Sequence, residues 1–260
     1  MRKIYDVFNF FNELELLEIR LNELDDFADT FVLVESTKTF QNNPKELIYE
    51  KNKDAFKKWH DRIVHVVIED SPDTDDTWAV ETFQFNAADR GMPNLQPNDV
   101  IMWCCTDEIP NKASIREWIK TPKPPAMMMQ YPCGGYLNCH NCESSMWTGG
   151  RLVSGAQWKA SKNQYEDFRK HWLGHHIQDA GWHFCNIGGA DRYRLKIESY
   201  AHKEYNYESF KNSLEHKIQC CYNLIDPATG HKMALLPWEL MPPYIVQNKE
   251  KFAPFLIPNG

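Results

Sequence analysis

The sequence predicts an α/β fold, an open and mostly parallel sheet with helices on both faces. Three observations predict it: apolar runs without polar alternation, helical periodicity in the segments between them, and regular alternation of the two along the first half of the chain. A continuous apolar run marks a strand buried on both sides. Parallel strands also need long crossovers, so helices must cover both faces.

The first strand is read in "KIYDVFNF" and leads into "NELELLEIRLNEL", where Leu14, Leu17, Leu21 and Leu24 recur at three- and four-residue spacing and give a helix one buried face. "TFVLVES" follows as the second strand, rich in β-formers. A loop, "TKTFQNNP", and a polar helix, "AFKKWHDR", precede the third strand, "IVHVVIE". "TWAVETFQFNAADRG" predicts a helix closed at Gly91, and "DVIMWCC" the fourth strand. Beyond it the pattern loosens: "AMMMQYP" and "RLVSGAQW" predict strands, "NQYEDFRKHWL" a helix, "GWHFCNI" a strand and "DRYRLKIESYAHKEY" a helix. No internal repeat or low-complexity segment is visible.

With 260 residues, 42% of them hydrophobic, and no linker or charge run, one domain spanning residues 1–260 is expected. A net charge of -7 argues against non-specific binding to nucleic acid or anionic membrane, which need clustered Lys and Arg. The start of the chain is basic but meets Asp6 and Asn9 before any long apolar run, so neither signal peptide nor membrane span is read; a soluble, cytoplasmic protein is expected. Of the eight cysteines, those in apolar settings such as Cys104, Cys105, Cys220 and Cys221 are read as reduced, buried thiols in a chain this long, while Cys133, Cys139 and Cys142 stay open between free thiols in an ordinary loop, a disulfide and a zinc site. Cys139 and Cys142, with Cys133 and His140 nearby, make half of a zinc pattern, but no second pair follows at the spacing a closed site needs. His171 and His175 have the spacing of a helical zinc pair without its Glu, and are read as structural or surface residues.

In open α/β sheets, polar residues at the carboxyl ends of strands converge on one crevice. The ends here, "DVFNFFNE", "LVES" and "CCTDE", are each acidic or amide-bearing. Asp107 and Glu108 either serve a metal and phosphate site or cap the helix "NKASIREWIK". Asn12 and Glu13 begin the first helix beside the same crevice, as nucleotide contacts or as an N-cap pair.

Six stretches in order, "FNFFNELELLEIRLNEL", "DTFVLVESTKTF", "TWAVETFQFN", "TDEIP", "GWHF" and "KIESYAHKEY", together resemble glycosyltransferase family 17 from Ile4 to Tyr205. Any one would be weak; their order makes the likeness specific. The resemblance implies a GT-A, Rossmann-like fold, a UDP-sugar donor carrying N-acetylglucosamine, a divalent metal (Mn²⁺ or Mg²⁺), a glycan acceptor and an inverting mechanism. By the same resemblance Glu35 ends its strand where GT-A proteins hold the uracil or ribose, Glu81 falls at a motif position, and His202 stands where such enzymes complete a metal shell with Asp107. His183, between aromatics, suits sugar stacking or proton transfer as well as plain packing. The stretch "YPCGGYLNCHNCESSMWTGG" fits an acceptor loop in which Trp147 or Tyr136 stacks on a sugar, or an irregular surface loop.

Two departures stand out. Where the family reads Ser-Asp-Val-Asp-Glu-Ile-Pro, this chain has Cys105 in place of the first aspartate of D-x-D, and a thiol is a poor ligand for a hard cation. The family's Gln-Arg-Asn is Gln84-Phe85-Asn86 here, which removes a guanidinium. An inverting transfer needs a carboxylate to take the acceptor proton while a cation neutralises the departing diphosphate. Glu108 is the first candidate for that base and Asp179 the second, on chemistry and not on spacing. Three readings stay open: an active transferase, a nucleotide-sugar or glycan-binding module whose catalysis was lost with Cys105, and a metal-dependent hydrolase or nucleotidyltransferase on a similar sheet.

Overall fold

A computed structural model describes residues 2–120, 125–140, 146–221 and 234–257. Strands β1 (Ile4–Asn9), β2 (Thr30–Ser36), β3 (Ile63–Ile68) and β4 (Val100–Cys105) run parallel in the spatial order β3-β2-β1-β4. Successive side chains of a strand point to opposite faces. Val7, Val32, Val34, Ile101 and Trp103 therefore meet one helical layer, with Phe85, Leu95, Trp158 and Phe168. Phe8, Phe31, Leu33, Met102 and Cys104 meet the other, with Leu17, Leu21 and Leu24 of the helix Leu14–Glu23 and with Tyr49, Trp59 and Trp118. Both faces of β1, β2 and β4 are buried, which is why those strand sequences do not alternate, whereas the edge strand β3 exposes Val64 and Val67.

The second half adds β5 (Glu108–Pro110), β6 (Ala126–Gly134), β7 (Cys139–His140), β8 (Arg151–Ser154), β9 (His175–Cys185) and β10 (Ala234–Leu235). Here directions mix. β8 lies antiparallel to β4 and β6, β6 runs parallel to β9, and β5 folds back antiparallel on β9 with Glu108 opposite His183. The result, among the described residues, is a curled ten-stranded α/β sheet. Its far end is packed by Ile109, Trp182, Phe184, Met241, Ile245 and Phe252.

Several expected elements differ in detail. "RLVSGAQW" is strand only to Ser154, whose hydroxyl accepts from the Gln157 N–H while the Gln157 side chain returns to the Ser154 N–H; this capping box opens the helix Gly155–Ala160. "NQYEDFRKHWL" forms one π-turn, Tyr165–Arg169, and "AFKKWHDR" a 3₁₀ stretch, Lys53–Trp59. "DRYRLKIESYAHKEY" divides into the helix Gly189–Ile197 and a 3₁₀ turn, Lys203–Tyr205. The helix Lys112–Trp118 is capped by Asn111, which accepts from the Ala113 N–H, and not by Asp107 or Glu108. His171 and His175 are exposed, and His175 begins β9 instead of sharing a helix with His171. Cys133 and Cys139 are buried free thiols; Cys142 lies outside the described residues. Among the described residues no helix is long and apolar enough to cross a membrane.

Candidate active site

A cleft of about 440 Å³ opens at the carboxyl ends of β1, β2 and β4, where Asn9, Ser36 and Cys105 share one face of the sheet. Its floor is the turn Cys105–Glu108. Arg20, on the mostly apolar buried face of the first helix, is fully buried beneath that turn. Its Nε and Nη2 donate to the two oxygens of the equally buried Asp6 at 2.7 and 2.6 Å, and its Nη1 donates to the carbonyls of Cys105 and Glu108 at 2.8 and 2.9 Å. The Thr106 hydroxyl donates to the Asn9 carbonyl at 2.6 Å. The turn is thus tied to β1 and to the first helix by buried hydrogen bonds, a rigid base for whatever it carries.

Asp107 points from this turn toward the helix Gly189–Ile197, where Lys196 Nζ lies 2.8 Å from its Oδ2. Burial works to raise the Asp107 pKa, but Lys196 and then His183 hold it below its ordinary value. His183 Nε2 is 3.8 Å from the same oxygen. Burial lowers the His183 pKa against the pull of Asp107. Trp147 stacks on that imidazole, with centroids 4.3 Å apart, and keeps 38% of its surface exposed at the cleft.

Glu108 is fully buried and its carboxylate is fully used. Arg169 grips it through two nitrogens at 2.8 and 2.7 Å, Trp147 Nε1 donates at 2.7 Å, and the Cys105 N–H donates at 2.8 Å. Burial would raise its pKa; Arg169 holds it far below the usual carboxylate range. Such a group is a poor proton acceptor, so Glu108 is placed as the anchor of Arg169 and not as a base. The Arg169 guanidinium also donates to the Cys105 sulfur at 3.2 Å and lies 5.1 Å over the Phe85 ring. A guanidinium thus reaches the cleft from the π-turn, against the very Phe that replaces the expected arginine. Gly149 makes this possible: a Cβ there would stand 2.0 Å from Glu108 Oε1.

Glu81 lines the cleft from the helix Thr77–Asn86 and accepts from the Tyr165 hydroxyl at 3.0 Å. Burial raises its pKa, only partly offset by Tyr165 and Arg169. His202 also lines the cleft, but its Nδ1 pairs with Glu204 at 2.5 Å and its ring meets Trp78 edge-on.

The remaining expected residues are placed differently. Glu13 lines the cleft, its carboxylate accepting from the Phe11 and Asn12 N–H groups; Asn12 lies in a small hollow beside it. Glu35 alternates away from Val34 and Ser36, is fully buried, and meets Lys45, the Tyr49 N–H and His65. Glu35, expected at the nucleotide, does not line the cleft. Asp179 does not line the cleft; its carboxylate takes the Tyr131 hydroxyl at 2.6 Å and its carbonyl the Asn111 side chain. Tyr136 packs instead on the cluster of Tyr193 and Phe210. For the implied dication, the donors do not fit: among the described residues no three His, Cys, Asp or Glu converge to hold a metal ion. Asp107 faces an ammonium and Cys105 a guanidinium. Lys196 and Arg169, which line the cleft together with Lys38 and Lys45, were not read from the sequence: Lys196 stood unremarked in "KIESYAHKEY", and Arg169 inside an expected helix.

Topology and cleft together define an α/β protein with its ligand crevice at the ends of parallel strands. Residues 1–225 match the model of glycosyltransferase family 17, and the chain belongs to that family. It is similar to beta-1,4-mannosyl-glycoprotein 4-beta-N-acetylglucosaminyltransferase of Rattus norvegicus and of Homo sapiens, 27% identical to each over 122 residues, which is 44% of this chain and 23% of theirs. The chain thus matches under a quarter of the length of those relatives. Among solved structures, 2-C-methyl-D-erythritol 4-phosphate cytidylyltransferase of Francisella tularensis aligns with a TM-score of 0.35 and 12% identity, over 64% of this chain and 79% of that one, too remote to carry an argument.

Proposed function

We propose that this chain transfers a sugar, N-acetylglucosamine in the first instance, from a UDP-sugar to a glycan hydroxyl with inversion. Family membership and the relatives' N-acetylglucosaminyltransferase name support the reaction class. The observation that carries it to this cleft is the meeting of Asp107, Lys196, His183 and Trp147 at the converging strand ends. In the proposed step the acceptor oxygen bonds to the anomeric carbon, the bond from that carbon to the diphosphate oxygen breaks, the proton passes to a carboxylate, and the electron pair leaves with UDP. Trp147 offers a half-exposed indole face for a sugar ring. Of the carboxylates on the cleft, Glu81 is the one whose surroundings raise its pKa, so we assign it as the base.

The test is to incubate the protein with UDP-N-acetylglucosamine and a mannose-containing glycan and to measure UDP release, acceptor mass and product anomer. UDP release with a β-linked product is expected. Melting temperatures raised by nucleoside triphosphates and by no UDP-sugar would overturn the reading. Glu81→Gln should lower kcat by about 10²–10⁴-fold with UDP affinity intact. A base must be ionised, so activity in the native chain should rise with pH through a limb above the ordinary Glu range, and that limb should vanish in Glu81→Gln.

A further inference from the structure

If the donor is a nucleoside diphosphate sugar, as proposed above, a cation must neutralise the departing diphosphate. We infer that Lys196 is that cation, and that donor binding in this cleft is independent of a divalent metal. The inference rests on the donor reading and on four observations.

First, Lys196 Nζ stands 2.8 Å from Asp107 Oδ2, at the carboxylate expected to ligate the metal. An ammonium has three donor hydrogens, and this one hydrogen bond leaves two for phosphate oxygens. Second, the side chain is 27% exposed and lines the cleft, so its charged head reaches the ligand space. Third, the position is fixed: Tyr193 and Ile197 of the same helix are buried against Phe210 and Leu214. Fourth, the corner where a second carboxylate would complete a metal shell holds Cys105 with Arg169 Nη2 at 3.2 Å. A dication between Asp107 and Cys105 would face the Lys196 ammonium on one side and, on the other, a thiol held by the Arg169 guanidinium, while the nearby Glu108 carboxylate is already engaged by that guanidinium. The loss of the first D-x-D aspartate and the presence of Lys196 are then two parts of one arrangement.

The experiment is calorimetric titration of UDP into the native chain, once in excess EDTA and once with Mn²⁺. Affinity should be the same in both. Lys196→Gln should weaken UDP about 10- to 100-fold, about 1.4–2.8 kcal/mol and in the range of a charge-assisted hydrogen bond, while Lys196→Arg keeps most of it. Uridine, which lacks the diphosphate, should bind native chain and Lys196→Gln alike. Binding of UDP that is lost in EDTA and restored by Mn²⁺ would overturn the inference and leave the donor reading standing. No UDP binding in either condition would remove the donor reading and the inference with it. Should Lys196→Gln fail to fold, the comparison of EDTA with Mn²⁺ on the native chain decides alone.

Discussion

The floor of the cleft and the wall facing it are built in opposite ways. The floor, the turn Cys105–Glu108 above β1 and β4, rests on two apolar layers and a buried Arg20–Asp6 pair. The wall consists of single side chains from distant segments: Trp147, Arg169, His183 and Lys196 come from a loop, a π-turn, β9 and a later helix. The floor is held mostly from beneath, by the apolar layers, the Arg20–Asp6 pair and the bonds of Arg20 and Thr106 to backbone carbonyls. The wall is held to the floor by a few charged contacts, Arg169 to Glu108 and Lys196 to Asp107. Rigidity therefore belongs to the first region and chemistry to the second, and changes in the two should fail differently.

The largest expected effect lies in the floor. Arg20→Met leaves the carboxylate of Asp6 buried without its partner and should cost about 3–5 kcal/mol of stability, read as a lowered urea midpoint with unchanged m-value. Asp6→Leu combined with Arg20→Met should recover much of that loss, because the uncompensated charge is gone. A double variant as unstable as Arg20→Met would mean that the bonds from Arg20 to the turn carbonyls matter more than the charge pair.

A smaller effect is expected where floor meets wall. Glu108→Gln keeps the shape but loses charge-assisted bonds to Arg169, about 1.5–3 kcal/mol at neutral pH. The sign of its pH dependence follows from the direction of the shift. Glu108 is held low by Arg169 despite burial, so its contribution is fully present above the ordinary carboxylate range and is lost as pH falls below that range. Urea unfolding as a function of pH should show an acid limb in the native chain that is shallower in Glu108→Gln. Equal limbs would show that other carboxylates dominate acid unfolding.

The smallest is Gly149→Ala, which should cost about 1–3 kcal/mol by forcing Glu108 and Trp147 apart. Its diagnostic reading is selective: native-like far-UV circular dichroism together with a red-shifted Trp147 emission, checked against Trp147→Phe. Unchanged emission would mean that the wall yields without releasing the Glu108–Trp147 bond.

The sequence alone determined the layering and the position of the crevice. Apolar runs such as "TFVLVES" and "DVIMWCC" carry their own burial on both faces, and leucines at helical spacing carry the helix that covers one of them, so neither needs a distant partner to be recognised. The capping box at Ser154 and Gln157 was equally local, and was legible in "SGAQ" although the strand reading ran through it. Tertiary structure decided which charges meet. Glu35, one residue from Val34 and Ser36, turned to the other face because strand side chains alternate. Asp179 ended outside the cleft, where Tyr131 takes its carboxylate. Lys196 and Arg169 reached Asp107 and Glu108 across 89 and 61 residues of chain. A hydrophobic period repeats along the chain and can be read from it, whereas a charge pair between distant segments leaves no period at all; only the folded path brings these cations to the carboxylates, Arg169 on the π-turn before β9 and Lys196 on the helix after it.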